Sequence, residues 1–157
     1  MGSVAIVKIV SGGQTGADRA ALDWAIESNI PHGGWCPAGR RAEDGVIGSR
    51  YHLKETPSRS FTQRTHWNVR DSDGTLIVSL DPVLTTGSKQ TREFARKLGR
   101  PCLHLHPQTH SAHRLRDFVV EHLIGILNVA GSRESKEPGI SRYVRELLSE
   151  ANIGTEP

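Results

Sequence analysis

Val4-Ala5-Ile6-Val7-Lys8-Ile9-Val10-Ser11-Gly12-Gly13-Gln14-Thr15-Gly16-Ala17-Asp18-Arg19 is an apolar run that breaks into a glycine turn and restarts as a helix. Its first seven residues are mostly β-branched, and only Lys8 interrupts them. That predicts a strand over 4–10, buried on both faces, and hence a central strand of a parallel sheet. Gly12, Gly13 and Gly16 permit a tight turn and a close backbone approach. Ala21, Leu22, Ala25 and Ile26 then share one helical face. A strand, a glycine loop and a helix in that order present free backbone N–H groups and a positive dipole end to an anion. The plainer use of the same glycines is to let helix and strand pack closely. The candidate ligand-binding residues here are Gly12, Gly13, Gln14, Thr15, Gly16, Asp18 and Arg19. Neither familiar fingerprint is present: Gly12 and Gly13 are adjacent, and no Lys-Ser/Thr pair follows Gly16.

The chain has 157 residues, 36% of them apolar and 24% charged. That suffices for one core, so 1–157 is expected to form a single Rossmann-like domain. The net charge of +3 and pI near 9.1 suit an anionic small ligand. The basic residues are scattered, which argues against nucleic acid. Cys36 and Cys102 stand far apart and suggest no disulfide framework. Val4–Val10 is too short to span a membrane, and no charged leader with a cleavage site precedes it. A cytoplasmic location is the expectation.

Further strands and helices alternate along the chain. His32–Cys36 predicts a short strand, with a polar loop rich in Arg, Glu and Asp behind it. Residues 46–60 show little periodicity, with Tyr51 and Leu53 as anchors. Phe61–Val69 predicts a short helix, and Arg70-Asp71-Ser72-Asp73-Gly74 an Asx-type turn. Thr75–Leu80 predicts a strand. It is followed by Thr85-Thr86-Gly87-Ser88-Lys89-Gln90-Thr91-Arg92-Glu93 and a helical face of Phe94, Ala95 and Leu98 that Gly99 stops. Its hydroxyls and Lys89 can donate to an anion, while Thr86 or Ser88 could equally be an ordinary N-cap. Pro101–His106 predicts a third strand with His104 and His106 on one face. His110 and His113 follow at a helix start. These four histidines match no standard zinc spacing, so no metal site is assigned.

Leu115, Phe118, Val119, His122 and Leu123 predict an amphipathic helix ended by Gly125. Ile126–Ala130 is a further strand running into Gly131–Lys136. Pro138-Gly139 opens a last helix with Ile140, Tyr143, Val144, Leu147 and Leu148 on one face. The tail from Asn152 is expected to fray. The alternation implies an α/β, Rossmann-like three-layer sandwich with a mostly parallel central sheet and helices on both faces. Three glycine-plus-polar loops, near 12–16, 85–88 and 131–136, would then share one edge of the sheet, where ligands bind.

Four segments are similar to the molybdenum carrier family in the same order and span nearly the whole chain. They are Ser11–Arg19, His32–Gly45, Arg64–Thr75 and Asn128–Ser135. The resemblance implies a Rossmann-like fold akin to the lysine-decarboxylase-like, cytokinin-activating phosphoribohydrolases and the DNA-processing protein A fold. It implies binding of molybdenum cofactor (molybdopterin), a phosphate-bearing pterin, or of a nucleotide. It also implies a homo-oligomer, dimer or tetramer. The hydrolase branch carries Pro-Gly-Gly-x-Gly-Thr-x-x-Glu, whose Glu falls on Glu93 and one glycine on Gly87. This chain departs from it at Thr85, Thr86, Lys89 and Gln90.

Two functions are therefore carried forward. The first is a carrier for a small phosphorylated ligand. Gly12, Gly13, Gln14, Thr15, Gly16, Thr86, Gly87, Ser88 and Thr91 would surround the phosphate. Arg19, Arg40, Arg41 or Arg133 would supply cations, and Asp18 or Asp71 would orient the heterocycle. The second is N-glycosidic hydrolysis of a nucleoside 5′-monophosphate with Glu93 as catalytic residue. A nucleotide-sensing signalling module is the remaining alternative.

Overall fold

The computed structural model describes residues 5–109 and 111–154. Val4 and His110 lie outside the described residues. The element order is β1 (Lys8–Val10), α1 (Ala17–Glu27), β2 (His32–Gly33), β3 (Trp35–Cys36), β4 (Arg41–Ala42), β5 (Gly45–Val46), β6 (Lys54–Glu55), α2 (Phe61–Arg70), β7 (Gly74–Val78), α3 (Thr86–Leu98), β8 (Cys102–Leu105), α4 (Ala112–Glu121), β9 (Ile126–Gly131) and α5 (Ile140–Glu150).

Five strands form the central sheet in the order β2-β1-β9-β7-β8, every pair parallel. The β1–α1–β2 and β8–α4–β9 crossovers run one way along the sheet; β2–α2–β7 and β7–α3–β8 run the other. Right-handed crossovers of opposite direction put their helices on opposite faces. Accordingly α1 and α4 pack with α5, while α2 packs with α3. This is the α/β sandwich expected from the alternation.

The core is two-sided. Ile9, Leu22, Leu127, Leu147 and Leu148 are fully buried on the α1–α5 side, and Leu76, Ile77, Val78 and Val129 run through the centre. Asn128 and Thr75, opposite each other in the β9–β7 register, satisfy one another in the interior through Nδ2–H···Oγ1 at 3.2 Å.

Several boundaries differ from the sequence reading. The first strand is three residues long, and Val7 is 60% exposed, because it lies at the sheet's amino-terminal rim. The predicted strand over 32–36 is broken at Gly34 (φ 123°). A β-carbon there would lie 2.4 Å from the Ser11 carbonyl oxygen, so only glycine allows this crossing. His32–Gly33 stays in the main sheet, while Trp35–Cys36 turns away to pair with β6. The cap of α3 is Thr85, whose Oγ1 accepts from Ser88 N–H, rather than Thr86 or Ser88. Leu123 follows the α4 cap in a left-handed conformation and is 87% exposed, so it is not on the buried face. The tail does not fray at Asn152. Ile153 is fully buried, and its carbonyl accepts from Ile6 N–H at 3.0 Å.

Candidate functional site

The chain leaves β9 toward one face of the sheet and β7 toward the other. Open α/β sheets bind ligands at such a divergence. A cavity of about 530 Å³ lies there, and three loops meet around it. Gln14 comes from the β1 loop and Asp18 from the first turn of α1, Thr85–Ser88, Gln90 and Thr91 from the start of α3, and Ala130, Gly131, Arg133 and Lys136 from the end of β9 and the loop after it. A fourth wall is α2, through Phe61, Arg64 and Thr65.

The amino terminus of α3 is the open one. Its first N–H groups have no intrahelical partner. Thr85 Oγ1 takes that of Ser88, and a β-carbon on Gly87 would meet nothing within 4 Å. Thr86 and Gly87 are exposed, while Ser88 and Thr91 are buried beneath them. Thr91 Oγ1 donates to the Gly87 carbonyl at 3.1 Å, which leaves it an acceptor toward the cavity.

Protein fills the first glycine loop. A β-carbon on Gly12 would lie 2.6 Å from Arg64 Nη1, so the guanidinium rests on that glycine. Gly13 accommodates Ile47 and Leu53. Gly16 (φ 82°) faces the Ser132 carbonyl and Glu134 nitrogen, and Ala17 N–H already donates to Ser132 O at 3.0 Å. The close-packing use of these glycines, weighed above beside the anion cradle, is thus observed. The amino terminus of α1 abuts the β9 loop.

Asp18 is 4% exposed, accepts from Gln14 N–H at 3.3 Å, and has Arg64 Nη1 at 3.6 Å. Burial pushes its carboxyl above the usual aspartate range, and Arg64, the Gln14 amide and Arg19 pull back against it. Arg64 Nη1 donates to Thr65 Oγ1 at 3.0 Å, while its buried Nε has no protein acceptor. Arg133 lines the cavity, 3.8 Å from Glu43. Arg64, Arg133 and Lys136 therefore face a single lining carboxylate, Asp18.

Other sequence candidates lie outside the cavity. Arg40 donates to the carbonyls of Ile47, Gly48, Tyr51 and Leu53, tying the 40–53 loop together. Arg41 donates to the Arg59 carbonyl and stands over Phe61 at 4.8 Å. Arg19 pairs with Asp44 and donates to Gly13 O. Thr15 donates to Glu43. Asp71 accepts from Arg70 and from Trp35 Nε1. Glu93 is not among the lining residues and pairs with Arg96, one turn along α3. Among the described residues, no three or more His, Cys, Asp and Glu side chains are placed to hold a metal ion.

Arg64 and Lys136 are the charged lining residues the motif reading did not single out. The signal was present: Phe61, Arg64, Thr65 and Asn68 sit at i, i+3, i+4 and i+7, a polar face on a helix with little apolar surface to bury. Glu43 and Glu134 were also passed over. Glu43 holds the β4–β5 hairpin to the β9 loop by accepting from Ser135 Oγ at 2.5 Å. Glu134 closes the start of α5, accepting from Gly139 N–H at 2.7 Å and Ser141 N–H at 3.2 Å. Those amides, with the Ser141 hydroxyl, hold its carboxyl below the usual glutamate range. Glu134→Ala is expected to cost about 1 kcal/mol, the usual worth of such a cap. The urea midpoint measures it. A depressed carboxyl contributes fully above its ordinary pKa and loses that contribution as pH falls through the folded value. The gap to wild type should therefore close in acid, and equal midpoints at neutral pH would show the cap to be idle.

The family model for the circularly permutated YpsA SLOG family matches residues 9–152. The chain belongs to that family. Among solved structures, this YpsA SLOG chain is similar to one from Syntrophus aciditrophicus SB described as a "putative molybdenum carrier protein". The two are 45% identical, with a TM-score of 0.91, over 96% of this chain and 97% of that one. The motif resemblance is thereby borne out. A second structure, of (E)-4-hydroxy-3-methyl-but-2-enyl diphosphate reductase, aligns at 10% identity and a TM-score of 0.41, over 93% of this chain and 59% of that one. No curated protein matches significantly. No helix of the described residues is long and apolar enough to cross a membrane.

Proposed function

We propose that the cavity at the carboxyl ends of β1, β7 and β9 binds a small phosphorylated heterocycle, molybdenum cofactor or a nucleotide, as a carrier. The observation that carries this reading is the charge and dipole arrangement. The open amino terminus of α3 and three cations line one cavity against a single buried carboxylate. A phosphate gains from the helix N–H groups and dipole, and from Arg64, whose planar fork suits its oxygens. Asp18, held toward its protonated form by burial, is suited to hydrogen-bond a ring nitrogen or amide of the heterocycle. The name of the Syntrophus relative supports molybdenum cofactor over a simple nucleotide. Hydrolysis by Glu93 gains no support, since that side chain pairs with Arg96 on the outer side of α3.

The test is a thermal-shift panel of nucleoside monophosphates, pterin phosphates, molybdenum cofactor and inorganic phosphate. At a hundredfold excess over Kd, a ligand adds about 2.7 kcal/mol. For a chain of this length that is a rise of roughly 5–10 °C. A selective rise with molybdenum cofactor is the expected result. A flat response to the whole panel would overturn the reading.

A further inference from the structure

A second cavity, of about 180 Å³, lies on the α2 face of the sheet over β1 and the edge strand β2, and shares no lining residue with the first. Lys8 enters it from β1, His32 from β2, Lys54 from β6 and Asp71 from the end of α2, with His52 beside them. The Lys8 side chain lies across Gly33, where a β-carbon would come within 3.1 Å of Nζ. The Lys54 ammonium stands 5.8 Å from the Trp35 ring centroid.

The charge in this cleft does not balance. Asp71 is its one lining carboxylate, and both oxygens are engaged: Oδ1 by Arg70 Nε at 2.7 Å, and Oδ2 by Trp35 Nε1 at 2.8 Å and Arg70 Nη2 at 3.0 Å. Among the described residues, no carboxylate pairs with Lys8 or Lys54. The His32 and His52 rings stack at 5.1 Å, and the His52 backbone N–H donates to His32 Nε2 at 3.1 Å. Burial holds its pKa below the usual value, and charge on His52, Lys8 and Arg50 pushes the same way. Lys8 and the exposed Lys54 thus share one cleft without a carboxylate of their own, and like charges partly withdrawn from water repel one another more than they would in water.

We infer that this cleft is a second anion site, which takes a small tetrahedral dianion of the sulfate or hydrogen-phosphate class between Lys8 and Lys54. It is independent of the ligand in the larger cavity. The bound ion supplies the counter-charge that Asp71, held by Arg70 and Trp35, does not.

An NMR titration of the whole chain with sodium sulfate, against sodium chloride at matched ionic strength, tests it. The amides of Gly33, Gly34 and Lys54 and the Trp35 indole are expected to shift saturably with sulfate alone. Lys8→Met and Lys54→Met should each weaken that binding about tenfold, the loss of one charge-assisted contact. The Gly87 and Ser88 amides report the larger cavity separately, so either site can fail without the other. No saturable shift in the Gly33 set of the wild-type protein would overturn the proposal, whether or not a variant folds poorly. So would sulfate affinity unchanged from wild type in both variants. Adenosine monophosphate moving the Gly33 set as strongly as sulfate would overturn the small-ion assignment.

Discussion

Gly16→Ala should destabilise the protein by about 4 kcal/mol, more than any other single methyl group added to the β1 loop. Gly16 sits at φ 82° and ψ −130°, a region other residues enter only at a cost of about 1–3 kcal/mol. The new β-carbon would also lie 2.3 Å from Ser132 O and 2.6 Å from Glu134 N. Both are backbone atoms, and both belong to the loop that closes the larger cavity. No rotamer change relieves that overlap, and overpacking of this kind costs about 1–3 kcal/mol more. For a chain of this size the sum corresponds to a melting temperature lower by roughly 8–16 °C. A loss within about 1 kcal/mol would mean that the β1 and β9 loops part easily, contrary to the contact described. Gly87→Ala is the natural control. Nothing stands within 4 Å of a β-carbon there, and its backbone is helical, so the expected change is slight.

The same pair of glycines shows where sequence reading succeeds and where it stops. Apolar runs such as Leu76-Ile77-Val78 announce buried strands because the hydrophobic pattern is local. Once the strands alternate with helices, right-handed crossovers bring the loops after β1, β7 and β9 to one edge. The convergence of the three loops was therefore legible. What each glycine accommodates was not, because the neighbours come from distant segments: Arg64 on Gly12, Ser132 on Gly16, Ser11 on Gly34. A glycine in a loop announces an approach without naming what approaches.

Charged residues were harder still. Arg40 and Arg41 lie in a motif and look available for phosphate, yet backbone carbonyls take up their guanidiniums. Buried carbonyls must find donors, and in a loop with little regular structure a long arginine satisfies several at once. Arg64 opens another of the motif segments without being singled out for phosphate, yet it ends beside Asp18 because α2 lies across the β1 loop. Amphipathic periodicity told which helix face is apolar. It did not tell that the polar face of α2 would be turned inward onto a cavity.

Arg64→Met is the second large effect expected, and its pH dependence separates the charge from the packing. Methionine keeps much of the stem over Gly12 but removes the cation nearest Asp18. Asp18 is then a buried carboxylate with only the Gln14 amide and the more distant Arg19 to offset its burial. Breaking a buried pair by removing one partner costs roughly 3–5 kcal/mol. The 3.6 Å separation and the adjoining cavity place this case near the lower end, about 3 kcal/mol at pH 8. The carboxyl is already raised in the folded wild type, and without Arg64 it rises further. A raised folded pKa means the folded state binds the proton more readily than the unfolded one. The penalty of ionised Asp18 is therefore full above the folded pKa and disappears as pH falls through it toward the ordinary value of 3.8. Urea midpoints of wild type and Arg64→Met should accordingly converge as pH is lowered from 8 through the raised folded pKa. Asp18→Asn in the Arg64→Met background should recover at least half of the loss at pH 8 and progressively less as pH falls, since an amide needs no counter-charge. A deficit independent of pH, or one that Asp18→Asn does not relieve, would assign the role of Arg64 to its packing over Gly12 rather than to its charge.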